Sequence, residues 1–190
     1  MIRMRLVALL FGALLVTGCA TTIDAITKEP IEPDPGKTSL GADLDDWQMD
    51  TLISVNIKKA DPQLDTAHFN VTTYNKVVLL TGEVPNDALR TLAGDTARKF
   101  RGVRQVHNEL QVVGTSSLLA RTNDTWLTTK VKSKLLARSD IQGRRIKVVT
   151  EAGVIYLMGI VTRLEAETAA SIASNTRGAI RVVKVFEYLD

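Results

Sequence analysis

Cysteine and histidine are nearly missing from this 190-residue chain, which has one cysteine, Cys19, and two histidines, His68 and His107. A disulfide framework is therefore excluded, and so is a Cys/His cluster of the kind that holds structural zinc. Neither histidine has paired carboxylates at ligand spacing, so both are assigned solvated or edge positions. The glycine-rich phosphate loop, Gly-x-Ser-x-Gly and His-Glu-x-x-His are all lacking. Ser116 and Ser117 have no base nearby in sequence. No catalytic residue, metal, cofactor or small-molecule substrate is predicted.

Long apolar runs are also scarce, with one exception at the N-terminus. After Arg3 and Arg5 the chain reads LVALLFGALLV, a run too short to span a bilayer comfortably and shaped like a secretory signal peptide. It ends in VTGC, so a small residue, Gly18, directly precedes Cys19. This matches the bacterial lipobox and predicts a signal peptide over residues 1–18 with lipid attachment at Cys19. A thioether-linked lipid also accounts for a lone thiol in an oxidising compartment. Ala20 replaces the aspartate that serves as the usual inner-membrane retention signal, so the expected address is the periplasmic face of the outer membrane. Nucleic acid is excluded as a partner there. Residues 19–45 carry two basic and six acidic side chains with Pro30, Pro33 and Pro35, the composition of a tether.

Beyond the tether the chain repeats itself. FNVTTYNKVVLLTGEV (Phe69 to Val84) aligns with IKVVTEAGVIYLMGIV (Ile146 to Val161) at an offset of 77. Val71, Val77, Leu80, Gly82 and Val84 match Val148, Val154, Leu157, Gly159 and Val161. Apolar alternation around a polar turn predicts a β-hairpin in each copy, and the glycine in the second strand predicts a close approach, assigned to a helix packed across it. A helix follows each hairpin. In the second copy Thr162 and Glu165 have capping-box spacing, Gly178 is placed as a stop, and Ala166, Ala169, Ala170 and Ala173 form a small-residue face. In the first copy Pro85 and Asn86 open the helix and Gly102 closes it. A further helix precedes each hairpin and an apolar strand ends each copy.

The predicted unit is αββαβ, a three-stranded mixed sheet with two helices on one face, making the chain an α+β protein. The boundaries read as 46–113 for the first domain, 114–122 for a linker and 123–190 for the second. The αββαβ order with Val-x-Leu-x-Gly-x-Val and a closing strand resembles the BON domain, a module of bacterial envelope proteins. Lipobox, tether and two tandem units together resemble the dual-BON outer-membrane lipoproteins. That resemblance implies anionic phospholipid binding, a place at the cell-division site and a role in outer-membrane integrity.

Charge separates the copies. Residues 46–113 hold eight basic and eight acidic side chains, whereas residues 114–190 hold twelve and seven. Between Arg121 and Lys147 eight basic residues face only Asp124 and Asp140. In a membrane-moored chain such a patch suits acidic lipid headgroups, at about 1 kcal/mol for each cation near the surface. Within NDTWLTTKVKSKLLARSD (123–140), Leu127, Val131 and Leu135 make the stripe that faces the sheet. Trp126 and Leu136 point away from it, with Thr129, Lys130, Lys132 and Ser133 on the same outward face and Lys134 and Arg138 on its flank. Trp126, Thr129, Lys130, Lys132, Ser133, Lys134 and Leu136 are therefore the candidate phospholipid-binding residues, with phosphatidylglycerol and cardiolipin as the ligands. With Asp50 matched to Asp124, the first copy has Ile53 and Ile57 on the core stripe and Leu52 and Asn56 in place of Trp126 and Lys130. Trp47 is expected to staple the start of its own helix, and the first copy reads as a neutral spacer or protein-facing domain. The competing assignment packs Trp126 against the first copy or the linker, with the lysines only solvating the helix. The alternative function is an adaptor for an envelope or cell-wall-remodelling machine, in which Trp126 is a protein hot spot.

Overall fold

The computed structural model describes residues 40–113 and 121–190, so the expected signal peptide, Cys19 and most of the segment read as a tether lie outside the described residues. The first repeat runs α1 (Leu40–Ala60), α2 (Pro62–Thr66), β1 (Phe69–Tyr74), β2 (Val77–Val84), α3 (Asp87–Arg98), β3 (Gln105–Asn108) and β4 (Gln111–Val112). The second runs α4 (Arg121–Leu136), a 3-10 turn (Gly143–Arg145), β5 (Lys147–Glu151), β6 (Val154–Val161), α5 (Arg163–Ser174) and β7 (Arg181–Tyr188). The expected αββαβ order is present twice. In each repeat the hairpin is antiparallel and the last strand pairs in parallel with the second hairpin strand, giving a mixed sheet. The registers repeat as well: Val71 opposes Leu80 in the first hairpin, and Val148 opposes Leu157 in the second.

Several local expectations change. The segment read as tether up to residue 45 already contains the start of α1, and α4 begins two residues inside the segment read as linker. Helix α2 starts where the Asp61 side chain accepts the Gln63 amide at 2.8 Å and Pro62 takes the first turn, a short signal hidden among loop residues. The closing strand of the first repeat breaks at Glu109 and Leu110 into β3 and β4, both paired with β2. Helices α3 and α5 end at Arg98 and Ser174, a turn before Gly102 and Gly178, whose positive φ values of 95° and 103° reverse the chain. The capping box of Thr162 and Glu165 is formed in both directions.

The close approach at the strand glycines also has a different source. A Cβ on Gly82 would stand 2.3 Å from the His68 carbonyl oxygen, and one on Gly159 would stand 2.6 Å from that of Arg145. The nearest neighbour is the backbone entering the paired strand rather than a helix. Any side chain would push the hairpin open.

One face of each sheet carries the helices. Met49, Ile53 and Ile57 of α1 meet Val78, Leu80, Leu89 and Ala93 in the first core. Leu127, Val131 and Leu135 of α4 meet Ile155, Leu157, Ala166 and Ala169 in the second. Strands β2 and β6 are buried almost throughout because their opposite faces meet each other. Val77 and Leu79 pack with Tyr156, Met158 and Val185 in a third cluster between the repeats. The result is four layers: helices, sheet, sheet, helices. At its margins Asn75 Nδ2 donates to Glu187 Oε2 at 2.8 Å, Asn70 Nδ2 to Glu151 Oε2 at 3.0 Å, and Lys147 Nζ to the Thr73 carbonyl at 3.0 Å. Arg104 pairs with Glu187 and Arg181 with Glu109.

Candidate membrane-binding surface

Helix α4 is held at its N-terminal end by Asp124. Its carboxylate accepts the amides of Ala152 (2.8 Å) and Gly153 (2.8 Å) at the tip of the second hairpin. The first repeat does the same with Asp46, which accepts the amides of Asn75 (2.6 Å) and Lys76 (3.0 Å). These turn residues all have positive φ, so their amides point outward and a carboxylate on the preceding helix can collect both. The equivalence corrects the helix register. Asp46, not Asp50, corresponds to Asp124, so Met49, Ile53 and Ile57 correspond to Leu127, Val131 and Leu135. Gln48 and Leu52 then occupy the places of Trp126 and Lys130.

With Leu127, Val131 and Leu135 fully buried, the rest of α4 falls into place around its axis. Trp126 and Leu136 are 51% and 50% exposed, so neither is buried in the interior. They stand ten residues apart, about 15 Å along the helix. Thr129 and Ser133 are exposed between them. The Lys130 ammonium lies 4.3 Å from the centre of the Trp126 ring, a cation–π contact that keeps a charge beside the indole.

Lys132 and Lys134 are placed differently from the outward face assigned to the first and the free flank assigned to the second. Lys132 Nζ donates to the carbonyls of Gly143 and Ile146, and burial pulls its pKa down. Lys134 Nζ donates to Thr176 Oγ1 at 3.0 Å. A lysine stem reaches round a helix, so azimuth alone does not say where the ammonium ends. Arg138 lies beyond the end of α4, paired with Asp140.

Those two lysines bring up cations that the linear reading passed over. Lys132 fixes the turn that carries exposed Arg144, and Lys134 fixes the turn that carries exposed Arg177. The second turn lies against α4, since a Cβ on Gly178 would stand 3.9 Å from both Asn123 Nδ2 and Leu127 Cδ1. Arg177 is 47 residues from Lys130, and only the packing of α5 beside α4 relates them. The outward surface is thus Trp126, Thr129, Lys130, Ser133 and Leu136, flanked by Arg144 and Arg177.

Elsewhere, His68 Nε2 lies 3.7 Å from Glu151 Oε1 across the two repeats. His107 is half-buried on β3, where burial lowers its pKa and Glu109 opposes that only in part. Among the described residues no group of three or more His, Cys, Asp or Glu could hold a metal, and no helix is long and apolar enough to cross a membrane. Trp47 lies inside α1 at 66% exposure and staples nothing, and Leu52 and Val55 are exposed on the same helix.

Two hairpin-and-helix modules of one register, each built on a mixed three-strand frame, define a tandem α+β repeat protein. The BON domain family model matches residues 50–114 and 123–190, and the chain belongs to that family. It is 35% identical to the outer membrane lipoprotein DolP of Haemophilus influenzae, over 98% of this chain and 97% of that protein. It is 33% identical to a 21 kDa hemolysin of Actinobacillus pleuropneumoniae, over 84% of this chain and 80% of that one. Osmotically-inducible protein Y of Escherichia coli is 32% identical over 68% of this chain and 67% of its own length. The kinship supports a non-catalytic envelope lipoprotein.

Proposed function

We propose that the protein is lipidated at Cys19 after removal of residues 1–18, sits on the periplasmic face of the outer membrane, and binds anionic phospholipid through α4. The observation that carries this reading is the pair Trp126 and Leu136, half-exposed at opposite ends of one helix whose other apolar side chains are all buried. Trp126 has an ammonium at its ring, and the backbone of Leu136 lies against Gly143 of the turn that bears Arg144, so cations flank this end of the stripe as well. A helix lying flat on the headgroups would insert both.

Magnitudes set what such a contact can do. Each half-exposed apolar side chain contributes about 1 kcal/mol on insertion, and Lys130, Arg144 and Arg177 about 1 kcal/mol each at an anionic surface. Summed, these contributions correspond to sub-millimolar binding before the costs of association, so a free domain binds more weakly than that. A lipid anchor on the same chain converts that weak contact into a local one by raising the effective concentration. The surface then distinguishes regions rich in phosphatidylglycerol or cardiolipin, such as the division site, from the rest of the membrane, and so supports envelope integrity.

The test is co-sedimentation of the chain beginning after Cys19 with vesicles that contain or lack phosphatidylglycerol. Binding is expected only with phosphatidylglycerol, weakens with salt, and is lost in Trp126→Glu while the circular dichroism spectrum is unchanged. Equal binding by Trp126→Glu removes insertion from the mechanism. Failure of the wild type to bind anionic vesicles favours the adaptor reading.

A further inference from the structure

The first repeat has no net charge, yet its charges are not mixed. A cavity of about 430 Å³ opens where the C-terminal ends of α1 and α3 meet. Lys59, Lys99 and Arg101 line it together with the polar side chains of Asn56 and Thr96 and the ring of Phe100, and no acid lines it. Among the described residues none of the three cations makes an ion pair or a side-chain hydrogen bond. The other arginines of the repeat are engaged: Arg98 with Asp95, Arg104 with Glu187, and Arg90 with the Asn108 carbonyl.

Cations are common at helix C-termini, so their excess over that role decides the matter. Each helix end presents about half a negative elementary charge. Two ends offset roughly one of the three cations and leave a surplus of about two positive charges, which is the charge of a phosphate monoester near neutrality. Phe100 packs against the first core and gives the cavity an apolar floor, while Asn56 and Thr96 supply polar groups at the wall.

We propose that this cavity is a second anion site, separate from α4, which takes a phosphate group borne by a lipid headgroup or by a soluble phosphorylated molecule. Lys59, Lys99 and Arg101 bind its oxygens and Asn56 orients it.

The experiment uses the full lipidated chain, isotope-labelled, in non-ionic detergent micelles. It is titrated with inorganic phosphate and, separately, with phosphatidic acid dissolved in the micelles. Both series follow the backbone amide resonances. Phosphate is expected to move residues 56–60 and 96–101 saturably, with weaker binding at higher salt. The triple variant Lys59→Gln, Lys99→Gln, Arg101→Gln is expected to lose at least about tenfold in affinity, the equivalent of a single charge-assisted contact. Asn56→Asp places a carboxylate in the cavity without removing any cation, and is expected to lose affinity with the fold undisturbed. Trp126→Glu is expected to bind phosphate as the wild type does, so the result is independent of α4. Saturation at lower concentration with phosphatidic acid assigns the natural ligand to the membrane, and tighter binding of free phosphate assigns it to solution. The proposal is overturned if neither probe gives a saturable response at these residues, or if the triple variant and Asn56→Asp both bind phosphate as tightly as the wild type.

Discussion

At the scale of the residue, the two repeats serve as controls for each other. Thr128 and Thr150 share a hydrogen bond of 2.7 Å between α4 and β5. In the first repeat the same two places hold Asp50 and Thr73, and both Asp50 Oδ1 and the Thr73 hydroxyl are buried without a well-formed hydrogen bond like that of Thr128 and Thr150. Burial raises the Asp50 pKa above its ordinary 3.8, and nearby Thr73 and Lys147 counter this only in part. A carboxyl whose pKa is higher folded than unfolded binds its proton more tightly in the native state. Its contribution to stability is therefore lost as pH rises from 3.8 through the raised value. Asp50→Asn should match the wild type in acid and become progressively more stable towards neutrality, as read from urea midpoints across that range. A wild type more stable than Asp50→Asn near neutrality would mean that Lys147 outweighs burial. His107 has the opposite sign. Its lowered pKa means that stability is lost as pH falls below the ordinary imidazole value of 6.5, and His107→Gln should flatten that part of the profile.

At the scale of the element, a pair of hairpin turns joined to preceding helices by Asp46 and Asp124 makes a comparable experiment. The second turn has Gly153 at φ 76°, whereas the first has Lys76 at φ 64°. A β-carbon in that region costs about 1–2 kcal/mol, offset in part by the greater chain entropy that glycine loses on folding. Lys76→Gly should therefore raise stability by about 0.5–1 kcal/mol, visible as a higher denaturation midpoint at unchanged slope. Hairpins and capped helices of this sort were legible in the sequence because local chemistry carries them: Val71 alternates with the polar Asn70 and Thr72, a polar turn follows the first strand of each hairpin, and Thr162 and Glu165 hold the spacing of a capping box. The register of α1 was not legible, because Asp46 and Asp50 are both aspartates one turn apart. Only the hairpin amides distinguish them. The outward stripe of α4 was half legible. Angle alone placed Trp126 and Leu136 outside, but it could not show that Lys132 and Lys134 turn back to hold loops, or that Arg177 arrives from a remote turn.

At the scale of the whole molecule, the sheet-to-sheet layer decides how the repeats behave. Its signal was present as unbroken apolar runs, VVLL in β2 and VIYLM in β6, which mark strands buried on both faces. Alternation read as a single buried face hides that second face. Tyr156 lies at the centre of this layer, and burial first, then Glu109, push its hydroxyl pKa up to about 12, so it stays protonated at physiological pH. With both sheet faces covered, the outer helix surfaces and the strand edges are what the described residues offer to partners, and the α4 face stands on a body that the shared layer keeps in one piece. This makes cooperativity measurable. The wild type should unfold in one transition, with fluorescence of Trp47 in the first repeat and Trp126 in the second changing together. Leu79→Asp puts a charge into the shared layer but outside both helix-covered cores, so it should split unfolding into two transitions, each reported by its own tryptophan. The split variant should still carry the α4 surface and bind phosphatidylglycerol vesicles, because Trp126, Lys130, Leu136 and the turns held by Lys132 and Lys134 all belong to the second repeat. Loss of vesicle binding in Leu79→Asp with the second transition intact would show instead that binding through α4 needs the first repeat beside it.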